Sequence, residues 1–220
     1  MSNSILITGG AGFIGLHLAR KLVSNGYKVD LVDNLARGIR DEDLETLLSQ
    51  TSVSFTQLDL TDQKSTMVLG SGYHAIYHLA GIVGVKHVLN RPYEVMDTNI
   101  RMLQNVITLA KRQSSLNRLL FASTSEVYAG TLEKYGLEIP TAEESNIVVS
   151  GLNRPRTSYM LSKIVGEVMC QHCGVPFTIF RPHNIYGPRM GMAHVIPELL
   201  RRVWDIQSPQ PLEVLSLIHI

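Results

Sequence analysis

The segment Thr8-Gly9-Gly10-Ala11-Gly12-Phe13-Ile14-Gly15 limits what this chain can fold into more than any other. It follows the apolar run Ile5-Leu6-Ile7 and opens a stretch with helical apolar spacing over 13–25. Three glycines spaced by two residues each do separate jobs between a strand and a helix. Gly9 permits the tight turn, Gly12 lets the backbone approach a pyrophosphate, and Gly15 lets the helix pack closely on the strand. The first turn of that helix, with Phe13 and Ile14, offers free amides and the positive end of a dipole to phosphate oxygens. A glycine trio alone is a weak signal, but a strand before it and a helix after it point to a bound dinucleotide.

The rest of the chain repeats the same alternation. Short β-branched or apolar runs occur at Val29–Val32, Val53–Thr56, Ala75–Leu79, Arg118–Ala122 and Phe177–Phe180, with helical patterns over 62–69, 93–113 and 157–173. Strand and helix in turn predict an α/β fold, a Rossmann doubly wound parallel sheet with helices on both faces. The near-continuous apolar character of the strands fits burial on both sides. The expected division is a dinucleotide-binding domain over 1–182 and a small substrate-binding lobe over 183–220. The polar stretch from Gly130 to Pro155 reads as one long loop, a kind that often carries function.

Charge and composition exclude several classes. A net charge of +1 with 18% charged residues gives no electrostatic footprint for nucleic acid or for an acidic membrane. No apolar run is long enough to span a bilayer, and Met1-Ser2-Asn3-Ser4 does not open a signal peptide. Cys170 and Cys173 form a C-x-x-C pair late in a predicted helix, not at its start, and no second ligand pair accompanies them. Two free thiols in a reducing cytoplasm, with no metal, are expected.

Asp33 stands eighteen residues after Gly15, at the end of the second strand, with Asn34 behind it. A carboxylate there accepts hydrogen bonds from the adenosine ribose and repels a 2′-phosphate, so the expected cofactor is NAD, not NADP. Arg37 is the lesser, opposing signal. Asp59-Leu60 follows the third strand; Asp59 either receives the adenine amino group, with Leu60 against the ring, or caps a helix from Thr61.

Two further segments carry chemistry. Ser123-Thr124-Ser125-Glu126 directly follows the fifth strand, and Tyr159 and Lys163 lie four apart on the next helix, hence on one face. A lysine ammonium near a phenol favours the phenolate. Bringing a tyrosine from a pKa of about 10 to near 7 takes roughly 4 kcal/mol, work that a nicotinamide cation can share. The product is a general base for a hydroxyl proton.

With Asp33, Asp59-Leu60, His78-Leu79-Ala80-Gly81, Asn99, Thr124, Tyr159/Lys163 and Arg181-Pro182-His183-Asn184-Ile185-Tyr186-Gly187-Pro188 in this order, the chain resembles the NAD-dependent epimerase/dehydratase family, the extended short-chain dehydrogenases/reductases. The resemblance implies that Tyr159 is the catalytic base, Lys163 holds the nicotinamide ribose, and Thr124 binds the reacting sugar hydroxyl. It implies that Leu79, Ala80 and Gly81 line the nicotinamide side and that Asn99 supports it. Asn184 would face a nucleotide-sugar, a UDP-sugar above all, and Arg189 its phosphates. Pairing into a homodimer through the helices over 93–113 and 157–173 is a further implication.

Family members share a first step, oxidation of a sugar hydroxyl to a ketone, and differ afterwards. Dehydratases of this kind carry Asp-Glu where this chain has Ser125-Glu126, and serine has no suitable acid proton. Thr-Ser-Glu-Val-Tyr is similar to UDP-glucuronate decarboxylases, whereas Arg154-Pro155-Arg156-Thr157-Ser158 departs from them. Arg154 or Arg156 is placed to meet a sugar carboxylate, a diphosphate or only solvent. The reading is an epimerase first and a decarboxylase second. The tail Leu212–Ile220 looks like a strand begun and cut off, with non-native residues after Val214. A third reading is therefore a truncated fragment that binds NAD without turnover, and a fourth a non-catalytic NAD-sensing scaffold.

Overall fold

Leu6 and its neighbours Ile5 and Ile7 point to opposite faces of one strand, and each face finds its own hydrophobic core. The computed structural model describes residues 3–192 and 194–205. Six parallel strands run in the order β3-β2-β1-β4-β5-β6: β1 Ser4–Thr8, β2 Lys28–Asp33, β3 Val53–Gln57, β4 Ala75–His78, β5 Arg118–Ala122 and β6 Phe177–Phe180. The register pairs Ile5 with Val29, Ile7 with Tyr77, His78 with Phe121 and Leu120 with Thr178. α1 (Phe13–Ser24) and α2 (Glu42–Leu48) bury Leu16, Ala19, Leu44 and Leu47 on the face of Ile5 and Ile7. α3 (Gln63–Thr66) and α4 (Val85–Asn90) are short. α5 (Pro92–Lys111) and, beyond α6 (Ala129–Tyr135), α7 (Pro155–His172) cover the face of Leu6, Ile76 and Leu119. The expected doubly wound parallel sheet is the observed one.

Several expectations of detail change. The helix expected over 62–69 closes after four residues, Gln63–Thr66. The expected loop from Gly130 to Pro155 begins with α6, which Gly130 makes possible: a Cβ there would lie 1.9 Å from the Val148 carbonyl oxygen. The helices α2 and α4 were not foreseen, because seven and six residues are too few for a periodic signal. Cys170 and Cys173 are free and buried, as expected.

α7 sits unusually close to the sheet. A Cβ at Gly166 would come within 2.5 Å of the Phe121 ring on β5. The next residue, the buried Glu167, receives Nη2 of Arg181 at 2.6 Å and its Nε at 2.8 Å, and the Ser123 hydroxyl donates to it as well. Arg181 continues to the Tyr128 hydroxyl and, at 2.8 Å, to the Glu143 carbonyl. Glu167 thus ties α7 to the ends of β5 and β6 at once. Favourable burial of both charges depends on this complete set of bonds.

The residues up to His183 form one compact unit, and those from Asn184 a second. In the second, α8 (Val195–Asp205) is amphipathic, with Arg201 paired to Glu198 at 3.1 Å and to Asp205 at 3.6 Å. The tail expected as a strand over Leu212–Ile220 lies outside the described residues. No helix among the described residues is long and apolar enough to cross a membrane.

Glu167→Ala leaves the Arg181 guanidinium without its carboxylate, and chemical denaturation should show a loss of about 3–5 kcal/mol.

Candidate active site

The candidate cofactor and catalytic residues up to His183 gather at the carboxyl ends of the strands. There the order reverses between β1 and β4, leaving a crevice. The glycine turn closes off β1. Gly9 has φ +72°, and its amide donates to the Val32 carbonyl at 2.8 Å. A Cβ on Gly9 would stand 2.9 Å from the Ala80 amide, and one on Gly15 2.3 Å from the Gly9 carbonyl oxygen. The N-cap of α1 is Gly12, so no side chain caps the first-turn amides around Phe13 and Ile14. This is a cradle that side chains would fill and that suits a pyrophosphate.

Asp33 ends β2 beside that turn. Its carboxylate accepts the Ala11 amide at 3.2 Å and the Leu35 amide at 2.8 Å, which fixes it at the edge of the crevice. Asn34 turns the chain by accepting the Ala36 amide at 3.0 Å. Asp59 accepts the Thr61 amide and hydroxyl, both at 2.8 Å; of its two readings the helix cap falls away, because Asp62 caps α3 by accepting the Lys64 amide. Leu60 is buried in the core, and its carbonyl accepts from Asn105 at 2.8 Å.

The crevice floor is wired through β4. The Ala80 amide donates to the Thr8 hydroxyl at 3.2 Å, and Thr8 in turn meets His78 Nδ1 at 2.8 Å. Burial, with the nearby Lys163 charge adding to it, pushes the His78 pKa down to about 3, so the imidazole is neutral. Beyond Leu79, Asn99 on α5 accepts the Ile82 amide at 2.7 Å and donates to its carbonyl at 3.1 Å and to the Ser162 hydroxyl at 3.3 Å. A Cβ on Gly81 would lie 3.5 Å from the Asn99 side chain and 3.6 Å from Lys163 Nζ. Gly81, Asn99 and Lys163 therefore share one corner of the site.

Tyr159 and Lys163 lie on the same face of α7, both buried. Lys163 Nζ donates to the Ala122 carbonyl at 2.8 Å and stands 5.9 Å from the Tyr159 ring centroid. Burial lowers the Lys163 pKa to about 8. Burial also raises the Tyr159 phenol to about 12, with the Glu126 charge adding to it and a hydrogen bond to the Thr124 side chain opposing it. The expected depression of the phenol by lysine does not appear in the protein alone: the ammonium is spent on a carbonyl, and burial prevails. Thr124 caps the 3₁₀ turn Ser125–Tyr128 by accepting the Glu126 amide at 3.2 Å. Ser125 is held there by its amide, which donates to the Pro182 carbonyl at 3.1 Å. Glu126 is exposed as a whole residue, while the surroundings of its carboxyl exclude water enough to raise its pKa, opposed by the charge of Arg156.

The structure therefore gathers Thr124, Glu126, Tyr159 and Lys163 beside Gly81 and Asn99. Asn184 and Arg189, the latter with φ +70°, belong to the second unit. Sequence reasoning missed the bond from Arg37 Nη1 to the Val83 carbonyl, 2.7 Å long, and the Glu167–Arg181 pair; only an acid and an arginine on apolar elements hinted at the latter.

A parallel sheet with an uncapped glycine cradle at its switch point, an acid closing the second strand and a Tyr/Lys pair on the covering helix defines a dinucleotide-binding protein of the short-chain dehydrogenase/reductase type. The chain belongs to the NAD-dependent epimerase/dehydratase family, whose model matches residues 5–216. It is 35% identical over 91% of its length to a UDP-N-acetyl-alpha-D-glucosaminuronate decarboxylase of Bacillus cytotoxicus, of which it spans 61%. It is 36% identical over 86% of its length to UDP-glucuronic acid decarboxylase 1 of Xenopus tropicalis, of which it spans 42%. Among solved structures, a UDP-galactose 4-epimerase superposes with a TM-score of 0.73 at 31% identity, covering 91% of this chain and 62% of that one.

The residues present fit NAD, through the glycine cradle, the Asp33 carboxylate and the Gly81–Asn99–Lys163 corner. Asp33→Ala should weaken NAD binding about 10-fold or more in calorimetry and narrow the preference over NADP, because a charged acceptor is lost.

His78 gives a pH signature. Its pKa is 6.5 unfolded and about 3 folded, so between these values the unfolded chain holds a proton that the folded one lacks. Stability should fall as pH drops from 6.5 toward 3, by up to about 1.4 kcal/mol per pH unit from this group, and the fall should be shallower in His78→Asn.

Proposed function

We propose that the protein oxidises a hydroxyl of a nucleotide-linked sugar to a ketone and that loss of carbon dioxide from a uronic acid follows. The observation that carries the first step is the convergence of Thr124, Tyr159 and Lys163 at the glycine-lined crevice. NAD, held by the glycine cradle, Asp33 and the Gly81–Asn99–Lys163 corner, would supply reversible hydride transfer at the sugar carbon. Thr124 holds the reacting hydroxyl and Tyr159 takes its proton. Lys163 stays cationic near neutral pH, since its pKa of about 8 lies above it, and its charge together with that of the nicotinamide offsets the burial that holds the phenol near 12.

Glu126 favours decarboxylation over the epimerisation that leads on sequence grounds. Burial raises its carboxyl above the usual carboxylate range beside Tyr159, which makes it a readier proton donor than a solvated carboxylate. Once the ketone has formed, the bond from the ring carbon to the carboxylate breaks, carbon dioxide departs, and the electron pair passes to the ketone oxygen. Glu126 then protonates the ring carbon. The decarboxylase names of the two relatives above support this order of preference. Epimerisation is the second reading, favoured by the likeness to UDP-galactose 4-epimerase.

Two features support the wider setting. Tyr93 on α5 and Val165 and Val168 on α7 are exposed apolar residues on the two helices expected to pair in a homodimer. The two buried free thiols fit a reducing compartment such as the cytoplasm.

The complete protein, given NAD with UDP-glucuronate, UDP-N-acetylglucosaminuronate or UDP-glucose, is expected to yield a uronate product lighter by one carbon dioxide in mass spectrometry. A product of unchanged mass and new retention time would instead mean epimerisation. Tyr159→Phe should cut turnover about 10²- to 10⁴-fold while NAD affinity changes little.

A further inference from the structure

α7 starts with Pro155 in its first turn and has an arginine on each side of that proline, Arg154 and Arg156. Their surroundings assign them different work. Arg154 is the N-cap residue, exposed, and its guanidinium makes a two-pronged pair with Glu133 on α6, at 2.9 and 3.0 Å. Ser150 donates to the same carboxylate at 2.8 Å. Arg154 therefore fastens the loop before α7 to α6.

Arg156 is half-buried and three residues before Tyr159, so the two share a face of the helix. The 3₁₀ turn that carries Glu126 packs on α7, and the Arg156 charge is felt at the Glu126 carboxyl. Glu126 in turn is felt at the Tyr159 phenol, which is hydrogen-bonded to the Thr124 side chain. Arg156, Glu126, Tyr159 and Thr124 thus form one continuous neighbourhood. Arg156 nevertheless makes no ion pair or hydrogen bond among the described residues: Glu126 stays beyond ion-pair distance. A planar fork of five donors on the helix face of the phenol, with no carboxylate at hydrogen-bond distance among the described residues, matches a carboxylate brought by the substrate.

We infer that Arg156 grips the carboxylate of a nucleotide-linked hexuronate and so selects uronic acids over neutral sugars at this site. The inference rests on the keto-sugar reading above and names its substrate class. Arg156 holds the anion before the carbon–carbon bond breaks, and carbon dioxide is neutral. The arginine therefore acts on substrate binding more than on the chemical step.

Kinetics of the complete protein with NAD test this, using UDP-glucuronate and UDP-glucose with the wild type, R156Q, R156K and R154Q. The wild type should prefer UDP-glucuronate. R156Q should raise its KM about 10- to 100-fold, with kcat changed only a few-fold, and leave UDP-glucose binding as it was. R156K should recover part of the loss. R154Q should lower stability without moving the KM for UDP-glucuronate. An unchanged KM in R156Q, or equal losses for both sugars, overturns the inference while the keto-sugar function stands. If no nucleotide-sugar is oxidised, the function falls; calorimetric binding of the same two sugars to wild type and R156Q then still decides whether Arg156 reads a carboxylate.

Discussion

The buried Glu167 carboxylate is the interaction on which the candidate active site depends. α7 carries Tyr159 and Lys163, and their aim is set by how that helix seats on the sheet. Gly166 allows the approach to Phe121, and Glu167 then binds the ends of β5 and β6 through Ser123 and Arg181. The same arginine bonds Tyr128 and the Glu143 carbonyl, which fixes the 3₁₀ turn bearing Glu126 and the loop that follows. A charge pair removed from water is costly unless every donor finds an acceptor, and here the bonds that satisfy it are those that align the site. The position of the phenol and the stability of the fold are therefore coupled.

Burial dominates the electrostatics of the crevice. It pushes the Tyr159 phenol up to about 12, Lys163 down to about 8 and His78 down to about 3. Each shift suppresses the charged form of its group, so the protein alone holds a neutral phenol and a neutral imidazole around one ammonium. A cationic ring placed beside Tyr159 changes that balance in favour of the phenolate. On the function proposed above, Tyr159 would then be the stronger base with NAD bound, which would tie proton removal to cofactor binding. Neutral His78 serves the backbone instead. It shares a hydrogen bond with the Thr8 hydroxyl, whose oxygen also receives the Ala80 amide, joining β1 to the β4 loop across the switch point.

Much of the cofactor side was legible in the residues because it is local. A glycine required by a close approach, an acid at a strand end and a period of two or 3.6 residues are all written within a few positions of chain. The substrate side was less so. Arg154 and Arg156 look equivalent in sequence; Glu133, distant along the chain, claims the first and leaves the second beside Glu126. Asp59 and Asp62 both resemble caps, and only the observed start of α3 chooses Asp62. The stretch from Gly130 reads as loop by composition, yet the Val148 carbonyl packs on Gly130 and α6 forms there.

The residues by themselves determined the parallel α/β architecture, the glycine cradle and the preference for NAD, since each follows from local backbone geometry or from one charge. The tertiary structure alone decided which of the two arginines Glu133 claims, what holds α7 to the sheet and how far burial moves Tyr159, Lys163 and His78. Those depend on desolvation and on partners many residues apart, such as the 41 positions between Lys163 and the Ala122 carbonyl. No local pattern encodes which distant group will come within hydrogen-bond reach, and in a low-dielectric interior that choice sets the chemistry.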